Sequence, residues 1–242
     1  MIKAISKGAL RRHMFEPTWL GLILNPFFIA RRGLYLHIKA LSGNITGQLL
    51  DVGCGRKPYQ TLFSNATNYI GLEIDTPENR RDKNADFFYD GVNFPFERES
   101  FDAVLANQVF EHVFNPDEFL ENIWRVLKPN GVLLLTVPFV WDEHEQPFDY
   151  ARYSSFGLKH ILQKHGFSII EHRKSVTSVA AFFQLLNGYF YKKTLFLGKG
   201  IYLTVVPFLM FPLTCLGLVL GIILPKNNDF FLDNIILVQK KI

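Results

Sequence analysis

Three features of this 242-residue sequence predict a doubly wound α/β architecture built on a mostly parallel sheet. Short apolar runs alternate with helix-like stretches from Gln48 to His172, the rhythm of strands joined by crossover helices. The first apolar run empties into a glycine-rich turn, and an acid closes the second. The composition is 48% hydrophobic and 20% charged, enough apolar material for a real core and too much for a disordered chain.

The strands are expected at residues 48–52, 69–74, 87–89, 101–107, 132–137, 167–171 and 235–238. Between the fourth and fifth, residues 117–127 put Phe119, Ile123, Val126 and Leu127 on one helical face. Acids open that helix, and Pro129 and Gly131 follow its end. Ser154 or Ser155 caps the next helix, with Leu158, Ile161 and Leu162 on one face and Gly166 as the stop. No internal repeat or low-complexity run is visible. The organisation expected is a basic, apolar segment at 1–44, a core at 45–175, an apolar insertion at 176–230 and a last core strand at 231–242.

Two cysteines, Cys54 and Cys215, exclude a disulfide scaffold, and no Cys/His cluster has zinc spacing, so no metal is expected. The N-terminal basic residues Lys3, Lys7, Arg11 and Arg12 precede no secretory-type apolar run. Net charge is +4 and unevenly spread. Residues 1–40 carry seven basic side chains against Glu16, and residues 192–242 carry six against two acids, so the middle of the chain is acidic. Basic ends that are also apolar point to a membrane surface rather than to nucleic acid. Ile201 to Leu224 is 24 residues without a charge, longer than the roughly 20 needed to cross a bilayer. A full crossing would strand the last core strand on the far side. The readings left are a shallow helical hairpin bent near Pro207 and Pro212, an interfacial helix, or a lid, with residues 19–30 docked alongside. The bland alternative is a dimer interface.

In Leu49-Leu50-Asp51-Val52-Gly53-Cys54-Gly55 an apolar strand runs into glycines, which let the backbone approach a ligand. Glu73 follows 18 residues after Gly55, where an acid accepts hydrogen bonds from both ribose hydroxyls. A nicotinamide or flavin turn would need a third glycine where Pro58 stands. LLDVGCG, GLEID, FPFERESFDAVLANQVFEHV and VLKPNGVLLLTVP resemble the successive motifs of class I S-adenosylmethionine-dependent methyltransferases. The chain is similar in particular to the group with the ubiquinone-biosynthesis-type methyltransferase domain. The resemblance covers about residues 45–172 and the last strand. It implies a Rossmann-like seven-stranded sheet with an antiparallel last strand, and S-adenosyl-L-methionine as cofactor. It also implies that Asp51, Gly53, Cys54 and Gly55 surround the methionine and ribose part and that Glu73 binds the ribose. Asp90 would meet the adenine amino group, and Asn107 and Gln108 would line the transfer centre. Lys57 replaces the family's third glycine, which puts a cation within reach of the cofactor carboxylate. Asp75 reads as a solvated acid and Asp86 as a loop residue.

The loop from Pro138 to Tyr153 follows a central strand, where open α/β sheets place their ligands. It is dense in acids, His, Arg and aromatics, the material for a base, an anion holder and stacking walls. It resembles the His-x-x-Pro-x-Asp-x-x-Arg loop of methyltransferases from bacterial surface-polysaccharide clusters. That implies His144 as general base or orienter, Asp149 as its partner and Arg152 as holder of an acidic group. His112 either faces the substrate or binds backbone. The leading expectation is a methyltransferase on the cytoplasmic face of the inner membrane. Its acceptor would be small or lipid-linked, first a sugar hydroxyl of an envelope polysaccharide precursor and second a quinone or isoprenoid-type ring. The rival is a non-catalytic cofactor-binding module that recruits a partner to the membrane.

Overall fold

A computed structural model describes residues 12–195 and 198–241. The basic residues Lys3, Lys7 and Arg11 lie outside them. Chain contacts divide the protein into two units. One combines His37–Arg173 with Asp233–Ile242; the other combines the chain up to Leu36 with Lys174–Leu232.

The strands are β1 (Gly47–Val52), β2 (Ala66–Ile74), β3 (Phe87–Tyr89), β4 (Phe101–Asn107), β5 (Leu127–Pro138), β6 (Phe167–Thr177) and β7 (Phe231–Lys240). They form one sheet in the order β3-β2-β1-β4-β5-β7-β6. β1 pairs in parallel with β2 and β4, β2 with β3 and β4 with β5, while β7 runs antiparallel to β5. Every predicted strand is present. β5, β6 and β7 are longer than their sequence signals because polar residues continue pairing beyond the apolar runs. Leu49, Leu50, Val52, Val104, Leu105, Leu133 and Leu135 are buried, as expected of strands covered on both faces.

The helix between β4 and β5 (Pro116–Val126) buries Phe119, Leu120, Ile123 and Val126. Its far end does further work. Arg125 donates to the carbonyls of Phe94 (2.9 Å) and Phe96 (2.6 Å), and Asn122 donates to the Val92 carbonyl (2.9 Å). One helix therefore fixes the loop that follows β3. In the helix Ser155–Lys164 the Ser154 hydroxyl accepts from the Gly157 amide at 3.2 Å, an N-cap bond.

In the second unit, the helix Val179–Leu195 packs against Phe211–Ile223. The Lys199–Val205 helix continues through a π-helical turn at Val206–Met210 into Phe211–Ile223. Pro207 and Pro212 lie inside this continuous helical run, where each removes an amide donor, and the π-helical turn falls at that interruption. The apolar segment thus does not fold back on itself near its prolines, as a shallow hairpin would require; its antiparallel partner is the preceding helix. A Cβ on Gly217 would lie 2.5 Å from the Phe183 Cβ, so the two helices meet at a point only glycine fits. Asn187 donates to Thr214 Oγ1 at 2.8 Å, a buried polar tie between them. Gln184 accepts from the Ala30 amide and donates to the Pro26 carbonyl, which docks the Trp19–Ala30 stretch in the same unit.

Candidate functional site

Parallel pairing brings the ends of β1, β2, β4 and β5 to one edge of the sheet, and the predicted site residues of the core gather there. After β1 the chain turns through Gly53 (φ 65°) and Gly55 (φ 54°). Their demands differ. A Cβ on Gly53 would meet Val109 Cγ2 at 2.4 Å, so this glycine serves packing. At Gly55 the nearest atom to such a Cβ would be Lys83 Nζ at 3.9 Å, so that face is open to a ligand. The Gly55 amide donates to Glu73 Oε2 at 2.9 Å, joining the turn to the acid of β2.

Asp51 is buried and accepts from the Tyr69 hydroxyl at 2.6 Å. Burial pushes its carboxyl up to about 7, against the opposing pull of the Tyr69 hydrogen bond. Cys54 is buried too, and burial pushes its thiol up to about 12, so it remains a neutral wall. Asp90 stands exposed just beyond β3, and its Oδ1 accepts from the amides of Val92 and Asn93. These bonds hold the carboxyl below its usual range.

Lys57 does not lie free for a cofactor carboxylate. Its ammonium is bonded to Asp86 Oδ2 at 2.5 Å, and the same oxygen accepts from the Gly71 amide at 2.7 Å. Asp86 is therefore a structural brace. The sequence hid this because the pair is 29 residues apart. Asp75 is exposed and paired with Arg80.

At the ends of β4 and β5, Thr136 organises the next two predicted residues. Its buried hydroxyl donates to Asn107 Oδ1 at 2.8 Å, and its backbone carbonyl accepts from the Gln108 amide at 3.0 Å. Gln108 holds φ 55°, an unusual conformation for a residue with a side chain.

The loop after β5 closes over the turn Phe110–His112. The Tyr150 and Ala151 amides both donate to the Glu111 carbonyl. His144 Nδ1 lies 3.1 Å from Asp149 Oδ2, and the His144 amide donates to that oxygen at 2.9 Å. Burial lowers the His144 pKa, which Asp149 partly offsets. The His112 and His144 rings meet edge to face at 4.8 Å, and His112 Nδ1 is 2.8 Å from the Phe148 carbonyl. Of the two alternatives for His112, the backbone contact is present through Nδ1, while Nε2 faces Glu111 at 3.8 Å.

Arg152 departs from expectation. Its guanidinium donates to both oxygens of Asp149 (2.5 and 2.6 Å) and to the carbonyls of Trp141, Asp142 and Ala151. All five donors are used inside the loop. None is left for an acidic substrate group, so Arg152 clamps the loop, and its charge holds Asp149 far below the ordinary carboxylate range.

Glu111 is the residue that sequence reasoning passed over. It is 0% exposed, neither carboxylate oxygen has a hydrogen-bond partner, and burial pushes it up to about 8. An acid beside His112, flanked by Val109, Phe110, Val113 and Phe114, was the available signal.

Residues 50–135 match the family described as a methyltransferase domain. An uncharacterized methyltransferase of Mycobacterium tuberculosis is 32% identical over 130 residues, 49% of this chain and 51% of the relative. The chain thus spans about half the length of the curated relatives it matches. A Haemonchus contortus phosphoethanolamine N-methyltransferase solved with S-adenosyl-L-methionine is similar in fold, with a TM-score of 0.55 at 20% identity. That match covers 100% of this chain and 61% of the other. The [4+2]-cyclase SpnF has the same TM-score, 0.55, at 20% identity, covering 85% of this chain and 81% of the other. At such identities the likeness concerns fold alone, and the cyclase warns that this fold serves more than one reaction. Residues 50–135, from within β1 to within β5, are nevertheless matched as a unit, and over them this chain resembles a methyltransferase domain.

Proposed function

We propose that the protein transfers a methyl group from S-adenosyl-L-methionine to a hydroxyl of a small or lipid-linked acceptor, first a sugar of an envelope polysaccharide precursor. The observation that carries the reading is one shared edge of the sheet. It places the open Gly55 turn with Glu73 beside β1 and β2, and the His144–Asp149 pair beyond β5. When bound, the cofactor supplies a methyl on a sulfonium, which passes in line to a nucleophilic oxygen. The donor set fits it. Glu73 would offer its carboxylate to the ribose hydroxyls, and Asp51 and Gly53 border the same turn. Asn107 and Gln108, braced by Thr136, would hold the amino-acid end, and Asp90 the adenine.

On the acceptor side, the Asp142 carbonyl at 3.3 Å and Asp149 at 3.1 Å both face His144 Nδ1, which favours the proton there and the lone pair on Nε2. Nε2 would take the hydroxyl proton of the acceptor, whose oxygen would receive the methyl group that the bound cofactor supplies. Most of the rate comes from holding donor and acceptor in line.

The apolar face of the second unit supports a membrane-surface location, on the cytoplasmic side. Phe208 and Ile222 are 81% and 82% exposed, and Lys192, Lys193 and Lys226 flank the segment. Val206–Ile223 is long and apolar enough to cross a bilayer. The reading is tested by offering labelled methyl donor and purified protein to lipid and glycan extracts, with vesicle co-sedimentation alongside. A labelled acceptor supports transfer, whereas calorimetry showing no donor uptake by folded protein overturns it. A protein that stays monomeric and unbound with anionic vesicles overturns the membrane location.

A further inference from the structure

We infer that Glu111, His112 and His144 form a binding site for one divalent transition-metal cation. Their ligand atoms all lie within 4.8 Å of one another. Glu111 Oε1 is 3.8 Å from His112 Nε2 and 3.9 Å from His144 Nε2. The buried carboxylate is aimed between two imidazoles with neither oxygen hydrogen-bonded, an expensive arrangement unless something binds there.

The second independent sign is how the rings are held. His112 is fixed through Nδ1 by the Phe148 carbonyl at 2.8 Å, and His144 through Nδ1 by the Asp142 carbonyl at 3.3 Å, with Asp149 Oδ2 beside it at 3.1 Å. In both, the Nδ1 proton has an acceptor and the Nε2 lone pair points at Glu111. This is the outer support that metal-binding histidines carry. Three protein ligands at about 2.0–2.2 Å need ligand separations of about 3.4 Å, a contraction of about half an ångström from Glu111 Oε1 to either imidazole and of up to about 1.4 Å for the widest pair. Two imidazoles and one carboxylate suit Zn2+, Co2+ or Mn2+ better than Mg2+. Arg152 does not oppose the cation, because Asp149 neutralises it. Exposed Glu145, 4.0 Å from His112 Nε2, adds a further acid at the rim. Glu111 and His144 are 33 residues apart in the chain, a separation no zinc-spacing motif covers.

The inference rests on the proposed transfer to an acceptor hydroxyl and reassigns one part of it: His144 Nε2 would hold the cation instead of taking the proton. The open coordination position would hold the acceptor oxygen and lower its pKa, so that its proton leaves to water rather than to His144.

The test uses the full chain, stripped with chelator and titrated with Co2+ alone, followed by calorimetry and by the visible absorption of bound cobalt. One ion per chain is expected. Binding should weaken at least tenfold in Glu111→Gln and in His144→Ala, while His165→Ala binds as the parent does. Glu111→Gln keeps the buried volume, so loss there is not loss of the fold. Absence of saturable uptake by folded protein, or equal uptake in Glu111→Gln and His144→Ala, overturns the site. Turnover undiminished in stripped protein but lost in His144→Ala also overturns it, and leaves His144 as the base. Cobalt uptake with no methyl transfer under any condition supports the cation site while removing the proposed reaction.

Discussion

Asp149 and Arg152 form a two-point ion pair, at 2.5 and 2.6 Å, inside a loop that also holds His144. The relationship makes Asp149 a hub: one carboxylate sets the orientation of an imidazole while its partner arginine ties three carbonyls together. Asp149→Asn should therefore cut kcat by about 10- to 100-fold through loss of imidazole orientation, with donor affinity nearly unchanged. Steady-state kinetics with donor calorimetry checks this. Arg152→Lys should not rescue the loop, since an ammonium cannot reproduce the five-donor fork.

Glu73 touches the glycine turn directly. Glu73→Ala should lower donor affinity by about 10- to 100-fold, the worth of one or two charge-assisted hydrogen bonds. A donor-induced rise in melting temperature that survived intact in the variant would contradict the assignment.

Asp51 gives stability a pH signature. Its carboxyl is raised to about 7 in the fold by burial, with Tyr69, Glu73 and Lys57 the groups that face it. Between about pH 4 and pH 7 the unfolded chain has released this proton and the folded chain has not, so the contribution of Asp51 falls as pH rises through that window; Glu111, raised to about 8, adds a fall of the same sign up to that pH. Melting curves of the ligand-free protein should show the combined slope, and Asp51→Asn should make it shallower by the share of Asp51.

The helix pair of the second unit meets at Gly217. Gly217→Ala puts a methyl against Phe183 and should cost about 1–3 kcal/mol in urea unfolding. Gly188→Ala, where a Cβ meets nothing within 4 Å, should be neutral or stabilising by about 0.5–1 kcal/mol. Equal effects at the two positions would contradict the observed packing.

The seven strands, the glycine turn and the acid at the end of β2 were legible from residue order alone. Periodicity and turn chemistry are local, and the chain writes them in consecutive letters. The apolar length of 201–224 was equally plain, but not its partner: whether it folds on itself or against residues 179–195 depends on where Gly217 and Thr214 find Phe183 and Asn187. The same holds at the site. His144 and Asp149 are five residues apart and could be paired on sight, whereas the convergence of Glu111 on both histidines, the capture of Lys57 by Asp86 and the full use of Arg152 arise only when the sheet brings loop ends together. Side-chain chemistry is set by the sequence, but burial and the company each group keeps are set by packing, and those decide which groups are free to act.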